Sequence, residues 1–256
     1  MKRALLLAVL LSLSARGLNA QSTRAVLQQS LLRHARTPVT DITATGSITV
    51  NGVTRSTTVY VKGSDQIRIE NGTGSERNVV IFARGQGWVG TNPALAVKPL
   101  TDHGSAKRPT QFPFLDLISE LNNPNVQITD QGMKTLGERS VYHITIYLGD
   151  PKAQERTLKR PLDDQADFYI DAETFLVVRS ERLLRTEEDM NMRVPSIMEF
   201  SDYRSVNGFL VPFKIVSTSG NSRMGMSQSI TQFTTVRINE GVSDALFSIQ
   251  LTGGRQ

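Results

Sequence analysis

From residue 42 onward the apolar positions of this chain recur at every second residue, and that period leaves few folds open. Ile42, Ala44, Gly46, Ile48 and Val50 alternate with Thr43, Thr45, Ser47 and Thr49, the pattern of a strand with one buried face. Asn51-Gly52 follows, and then a run rich in Thr, Val and Tyr, Thr54–Lys62. Asn-Gly between two such runs predicts a tight hairpin, because both turn positions need a positive φ. Further strands are predicted at Gln66–Glu70, Asn78–Phe82, Gln86–Gly90, Val126–Thr129 and Arg139–Leu148. Others follow near residues 167–171, 175–184, 196–205, 209–218 and 226–238, with Asn207-Gly208 as another tight turn.

Two segments break this period. Residues 22–36 place Leu27, Leu31 and His34 at helical spacing, and Pro38 closes the segment. In Phe112–Leu121, Phe114, Leu117, Ile118 and Leu121 form one apolar helical face, with Pro113 near the start. Residues 91–110 and 149–166 read as loops. About eleven strands, two short helices and no strand–helix alternation predict a mainly β (α+β) fold. Its expected form is a single large curved antiparallel sheet, because an open sheet this wide must curl. The two helices would act as lids on the concave face.

The N-terminus has a different character. Lys2 and Arg3 precede an apolar run from Ala4 to Leu13, and Leu18-Asn19-Ala20 ends in a small residue. That order is the one of a cleaved signal peptide over residues 1–20, leaving 21–256 as the folded domain. Losing Lys2, Arg3 and Arg16 lowers the net charge from +5 to +2. No dense basic stripe then remains to neutralise phosphates, so a nucleic-acid partner is not expected. No second long apolar segment follows, and none of the mature chain is expected to span a membrane. The expected location is the periplasm. The absence of Cys excludes disulfides, thiolate nucleophiles and Cys-ligated metals.

Motifs for catalysis are scarce. His34, His103 and His143 stand apart, without metal-ligand spacing. There is no Gly-x-Ser-x-Gly elbow, and Gly72-Thr73-Gly74 lacks the rest of a phosphate-cradling loop. Paired carboxylates can run hydrolysis without metal or Cys. Asp163, Asp164 and Asp167, and Glu187, Glu188 and Asp189, read instead as solvated charges in loops or turns. No enzyme and no cofactor is expected. The strands carry apolar faces instead, in Ile67/Ile69, Ile144/Ile146, Phe168/Ile170 and Phe209/Val211/Phe213/Ile215. Two short helices cover little of such a sheet, so the remainder is closed by curvature, a partner or an apolar ligand.

The order of elements resembles the periplasmic outer-membrane lipoprotein-sorting carriers and the related mycobacterial surface-lipid lipoproteins. The resemblance rests on the N-terminal helix, the hairpin ending in Tyr60-Val61-Lys62, Val79-Val80-Ile81-Phe82, Gly87-Trp88, Asn92-Pro93 and Phe112-Pro113-Phe114. It continues through Phe168-Tyr169-Ile170-Asp171, Val177 to Glu181, Phe200 to Arg204, Asn207-Gly208, Val211 to Ile215 and Asp244-Ala245-Leu246-Phe247. It implies a half-barrel with lid helices and a carrier that holds an acyl lipid or lipidated protein. It also implies partner proteins at the inner and outer membranes. In the carriers an Arg follows the Val-Lys pair and helps to hold the lid closed; here that place is Gly63, with Arg68 nearby. The expected cavity lining is Ile67, Ile69, Ile81, Trp88, Ile144, Ile146, Phe168 and Ile170, facing Phe114, Leu117 and Leu121. Two rival readings stay open: a periplasmic scaffold that docks a protein on its concave face, and a hydrolase that uses carboxylates.

Overall fold

The computed structural model describes residues 22–91, 98–99, 110–122, 124–148, 165–185, 193–221 and 225–248. The predicted leader, His103, Asn92-Pro93 and the acidic residues Asp163, Asp164, Glu187, Glu188 and Asp189 lie outside them.

The described residues form one 13-stranded antiparallel sheet with two α-helices, α1 (Thr23–His34) and α2 (Pro113–Leu121). The strands are β1 (Asp41–Val50), β2 (Val53–Lys62), β3 (Gln66–Asn71), β4 (Asn78–Ala83), β5 (Gln86–Thr91) and β6 (Lys98–Pro99). Then come β7 (Val126–Leu136), β8 (Arg139–Leu148), β9 (Gln165–Asp171), β10 (Val177–Arg185), β11 (Arg193–Val206), β12 (Phe209–Asn221) and β13 (Gly225–Ile238). The spatial order is β6-β5-β4-β3-β2-β1-β13-β12-β11-β10-β9-β8-β7. The chain therefore meanders from the middle to one edge, crosses in the segment that contains α2, and meanders back until β13 lies beside β1.

Local sequence explains most of the joints. Asn51-Gly52 and Asn207-Gly208 both take positive φ, 50° and 78° in the first turn and 51° and 85° in the second, as a tight hairpin turn demands. Gly46 sits where the β1–β13 register shifts, and a Cβ there would run into the Gln232 carbonyl oxygen. Ser22 caps α1, its Oγ accepting the Ala25 N–H at 3.3 Å. Pro113 occupies the first turn of α2, where its missing N–H costs nothing.

Four boundaries differ from expectation. The predicted loop 91–110 contains β6, whose Pro99 is tolerated because the strand is an edge. The predicted strand Val126–Thr129 extends to Leu136 across a register shift at Gln131-Gly132, which masked its alternation. β9 starts at Gln165, so Asp167 belongs to a strand rather than to a charged loop. β10 starts at Val177, because Phe175 takes φ 60° in the preceding turn.

Cross-strand partners and alternate residues of one strand project to the same face. On the inner face, one contiguous core joins Ile42 and Ala44, Val59 and Val61, Ile67, Ile144 and Ile146, Phe168 and Ile170, Met198, Ile215 and Phe233 to Leu27 of α1 and Phe114 and Leu117 of α2. On the outer face a smaller cluster of Ala83, Val242 and Phe247 lies against Tyr60, Trp88 and Leu246. It is formed where the C-terminal 3-10 turn Asp244–Phe247 folds back onto β3 and β4.

Candidate functional site

The inner face is the candidate site, and its chemistry starts with two apolar helix stripes. Leu27, Ser30, Leu31 and His34 of α1 lie at helical spacing toward the sheet, while Gln28, Gln29 and Arg33 are exposed. Of α2, Phe114 and Leu117 are completely buried, whereas Ile118 and Leu121 are partly buried at the margin of the core. α2 touches α1, β8 and β10, and α1 touches β12.

Polar groups at this interface are few, and two of them, His34 and Glu120, join separate elements. His34 of α1 is fully buried. Its Nδ1–H donates to the Leu210 carbonyl at 2.9 Å, and its Nε2 accepts the Val177 N–H at 3.2 Å. A backbone N–H can only donate, so these partners define the tautomer. The ring stacks on Phe114 at 5.5 Å and tilts against Tyr203 at 5.4 Å. Burial brings its pKa down from 6.5 to about 4, with Arg33 adding to the fall and the Leu210 hydrogen bond opposing it. Tyr203, whose hydroxyl donates to the Val177 carbonyl, has its pKa raised by burial.

The second joint is ionic. Glu120, on the last turn of α2, meets Arg182 of β10 at 2.9 Å, with side chains 1% and 8% exposed. Near the start of α2, Asp116 accepts the Thr110 N–H at 2.9 Å. α2 is therefore held to the sheet by an apolar stripe and an ion pair. Arg68 plays no part in this, because the register directs it to the outer face. There it donates to Glu70 and to the Leu246 carbonyl. Gly63 takes φ 61° in the β2–β3 turn and donates to the Thr40 carbonyl at 2.8 Å.

The expected lining divides by strand register. Ile67 and Ile69 pair with Phe82 and Val80 and face inward. Ile144, Ile146, Phe168 and Ile170 also face inward, in the same core as Phe114 and Leu117, with Leu121 packed against it. Ile81 and Trp88 do not join them. They pair with each other and, through Ile81, with Arg68, so they project from the opposite face. Trp88 there contributes to the cluster around Phe247. The physical reason is parity: all four central residues of β4, Val79 to Phe82, are apolar, and only the pairing partner tells the faces apart.

Of the remaining candidates, the described ones, His143 and Asp167, lie on the outer face. Asp167 accepts hydrogen bonds from Thr145 and Gln165 and meets His143 Nε2 at 2.9 Å. The His143 ring stacks on Tyr169 at 4.4 Å. The Tyr169 pKa is pushed up to about 12, by burial first and then by the nearby carboxylates of Glu181 and Asp167. Sequence reasoning missed this network because Asp167 read as part of a loop. It also missed the Glu120–Arg182 pair, whose members are distant in sequence and lack any motif. Among the described residues no group of three His, Asp or Glu side chains is placed to hold a metal ion.

An open antiparallel sheet with two helices laid on one face defines a recognisable class of fold. No known family model and no curated protein matches the chain. Solved structures do. An outer-membrane lipoprotein-sorting protein domain from Vibrio parahaemolyticus superposes with a TM-score of 0.55 at 11% identity, covering 87% of this chain and 94% of that one. A LolA superfamily protein from Nitrosomonas europaea gives 0.55 at 8% identity, covering 90% and 99%. A DUF1329 family protein from Desulfovibrio piger gives 0.55 at 17% identity, covering 88% and 96%. The chain thus has the LolA-like fold over nearly its whole length, and the likeness is one of fold.

Proposed function

We propose that this protein is an exported, periplasmic carrier that holds an acyl lipid or lipidated protein between the inner face of its sheet and helices α1 and α2, without covalent chemistry. The observation that carries this reading is the way α2 is seated. Phe114 and Leu117 are fully buried in one apolar core with Ile144, Ile146, Phe168 and Ile170. An acyl chain offers those strands the same apolar contact that α2 now provides. Exchange of one for the other conserves burial, and each methylene taken up contributes about 0.8 kcal/mol. The net affinity is what remains after the cost of reordering α2.

Among the described residues no helix is long and apolar enough to cross a membrane. Ile67, Ile69 and Leu121 extend the proposed lining. Ile81 and Trp88, on the other face, lie outside it.

The test is native mass spectrometry of the mature protein purified from its own envelope fraction, followed by solvent extraction. A stoichiometric acyl-containing adduct supports the carrier and identifies its cargo. A bare protein mass that is unchanged after incubation with envelope lipids overturns it and leaves the docking of a protein partner.

A further inference from the structure

The inner face changes chemistry along its strands. Toward the turn Asn207-Gly208 it is aromatic and aliphatic, with Phe209, Val211, Phe213, Phe200 and Ile215 all buried in the core. Beyond the cross-strand row Phe200–Ile215–Thr231, the next two rows on the same face read Ser180–Met198–Ser217–Ser229 and Arg182–Ser196–Ser219–Ser227. Six serines thus form a contiguous terrace across β10, β11, β12 and β13. Serine is a poor strand former beside Val, Ile or Thr. Its side chain is also small and ends in a hydroxyl, where the rows nearer the Asn207-Gly208 turn carry hydrocarbon.

The terrace grades from shelter to solvent. Ser180 and Ser196 are buried, Ser217, Ser219 and Ser229 half-buried, and Ser227 exposed. None of the six side chains bonds to another among the described residues. Among the described residues, the charge that borders the terrace is paired, since Arg182, next to Ser196, holds Glu120. Arg55 is a second cation on this face, exposed on β2 opposite Ile48, two strands beyond the exposed end of the terrace. The patch itself therefore offers donors and acceptors without net charge.

We propose that this terrace is the head-group end of the ligand site and selects an amphiphile with an uncharged, hydroxyl-bearing head, such as a glyceryl or sugar group. The acyl chain of that ligand runs down the strands toward Ile215 and Phe200. The inference rests on the carrier reading above and assigns it a ligand class. Hydroxyls accept and donate in turn, so they match a polyol head. An anionic head would lose its hydration there without gaining a counter-charge.

The experiment is calorimetric titration of the mature protein with monopalmitoylglycerol, palmitate and palmitoyl lysophosphatidate, three probes with one chain and different heads. Monopalmitoylglycerol is expected to bind about tenfold tighter than either anion, the worth of one or two net hydrogen bonds. The double variant S217V/S219V, which keeps strand-favouring residues, should bring the three affinities together. S217T/S219T, which restores the hydroxyls, should restore the preference. A circular-dichroism melt of each variant confirms the fold. Equal binding of the three probes by the unaltered protein, or a preference that persists in S217V/S219V, overturns the terrace while the carrier stands. Tighter binding of an anion also overturns it and directs attention to Arg55. Failure to bind any of the probes removes the carrier reading and the terrace with it.

Discussion

On the inner face of the sheet, the buried polar side chains His34 and Glu120 of the two helices join elements that are separate in the fold. His34 ties α1 to β10 and β12, and Glu120 ties α2 to β10. On the outer face the networks around Asp167, Arg179 and Glu70 bond sideways, between neighbouring strands or along one strand. Asp167 of β9 gathers His143 and Thr145 from β8, and Arg179 of β10 lies between Glu181 and Glu199. Glu70 pairs with Arg68 and Arg77. The two arrangements respond differently to damage. An outer group that loses one partner keeps others, or meets water. An inner group that loses its partner stays desolvated and uncompensated. The polar groups that position the helices are thus the ones that cannot be removed without penalty, although they contribute little net stability when intact.

The largest expected effect follows from that difference. Glu120→Ala strands the Arg182 guanidinium in the core and should cost about 3–5 kcal/mol, the usual penalty for breaking a buried pair from one side. Urea denaturation followed by circular dichroism measures it. Pairing the change with Arg182→Leu should recover much of the loss, because an apolar side chain in place of the guanidinium needs no counter-charge. A double variant as unstable as the single one would show that the pair does more than neutralise itself.

His34 gives the next effect, read against pH. Its folded pKa of about 4 lies below the unfolded value of 6.5, so the unfolded chain binds the proton first as pH falls. Stability is complete above about pH 6.5 and declines down to about pH 4, by about 3 kcal/mol in all. His34→Gln can keep one donor and one acceptor but does not titrate, so it should flatten the slope of unfolding free energy across that window. A slope unaltered in His34→Gln would assign the acid sensitivity to carboxylates instead.

What could be read from the chain follows the same division of faces. The alternation of Ile42 to Val50, the Asn-Gly turns and the stripe of Phe114, Leu117, Ile118 and Leu121 are local signals, and each recurs in the structure. The antiparallel sheet and the placing of helices on one face follow from them, but the full strand number does not, because β6 lies in a segment that reads as loop. Face parity is not local. It depends on which residue of the neighbouring strand lies opposite, and β4 is apolar on both sides. That is why the sequence groups Ile81 and Trp88 with Ile67, although the register sends them outward under the C-terminal turn. The serine rows were illegible for a related reason. Ser196, Ser219 and Ser227 are scattered in sequence and become neighbours only through the pairing of β11, β12 and β13.

The outer face carries the two smallest effects, and Trp88 reports the first of them. It is the single tryptophan of the chain, half-buried beside Phe247. Phe247→Ala should release the turn Asp244–Phe247 from β3 and β4 at a local cost of about 2 kcal/mol. The expected sign is a red shift of Trp88 emission while the circular-dichroism midpoint of the sheet moves little. A fall of both together would show that the outer cluster and the main core unfold as one unit. The same fluorophore separates the faces during ligand binding. An acyl chain taken up on the inner face should leave Trp88 emission unchanged, and a large blue shift on adding lipid would place the ligand on the outer face instead.

Lys62 and Asp244 provide the lower limit. Their ion pair at 2.8 Å anchors the same C-terminal turn, with side chains 35% and 76% exposed. At that exposure water screens the attraction and the gain barely repays the fixing of two side chains. Lys62→Met keeps the apolar stem against the sheet and removes the charge, so the loss should not exceed about 0.5 kcal/mol and should shrink further at high salt. Beside the several kcal/mol expected at Glu120, that result would locate the electrostatic control of this fold on its inner face. A Lys62 variant as unstable as Glu120→Ala would mean that the C-terminal turn, rather than the seat of α2, is the joint on which the sheet depends.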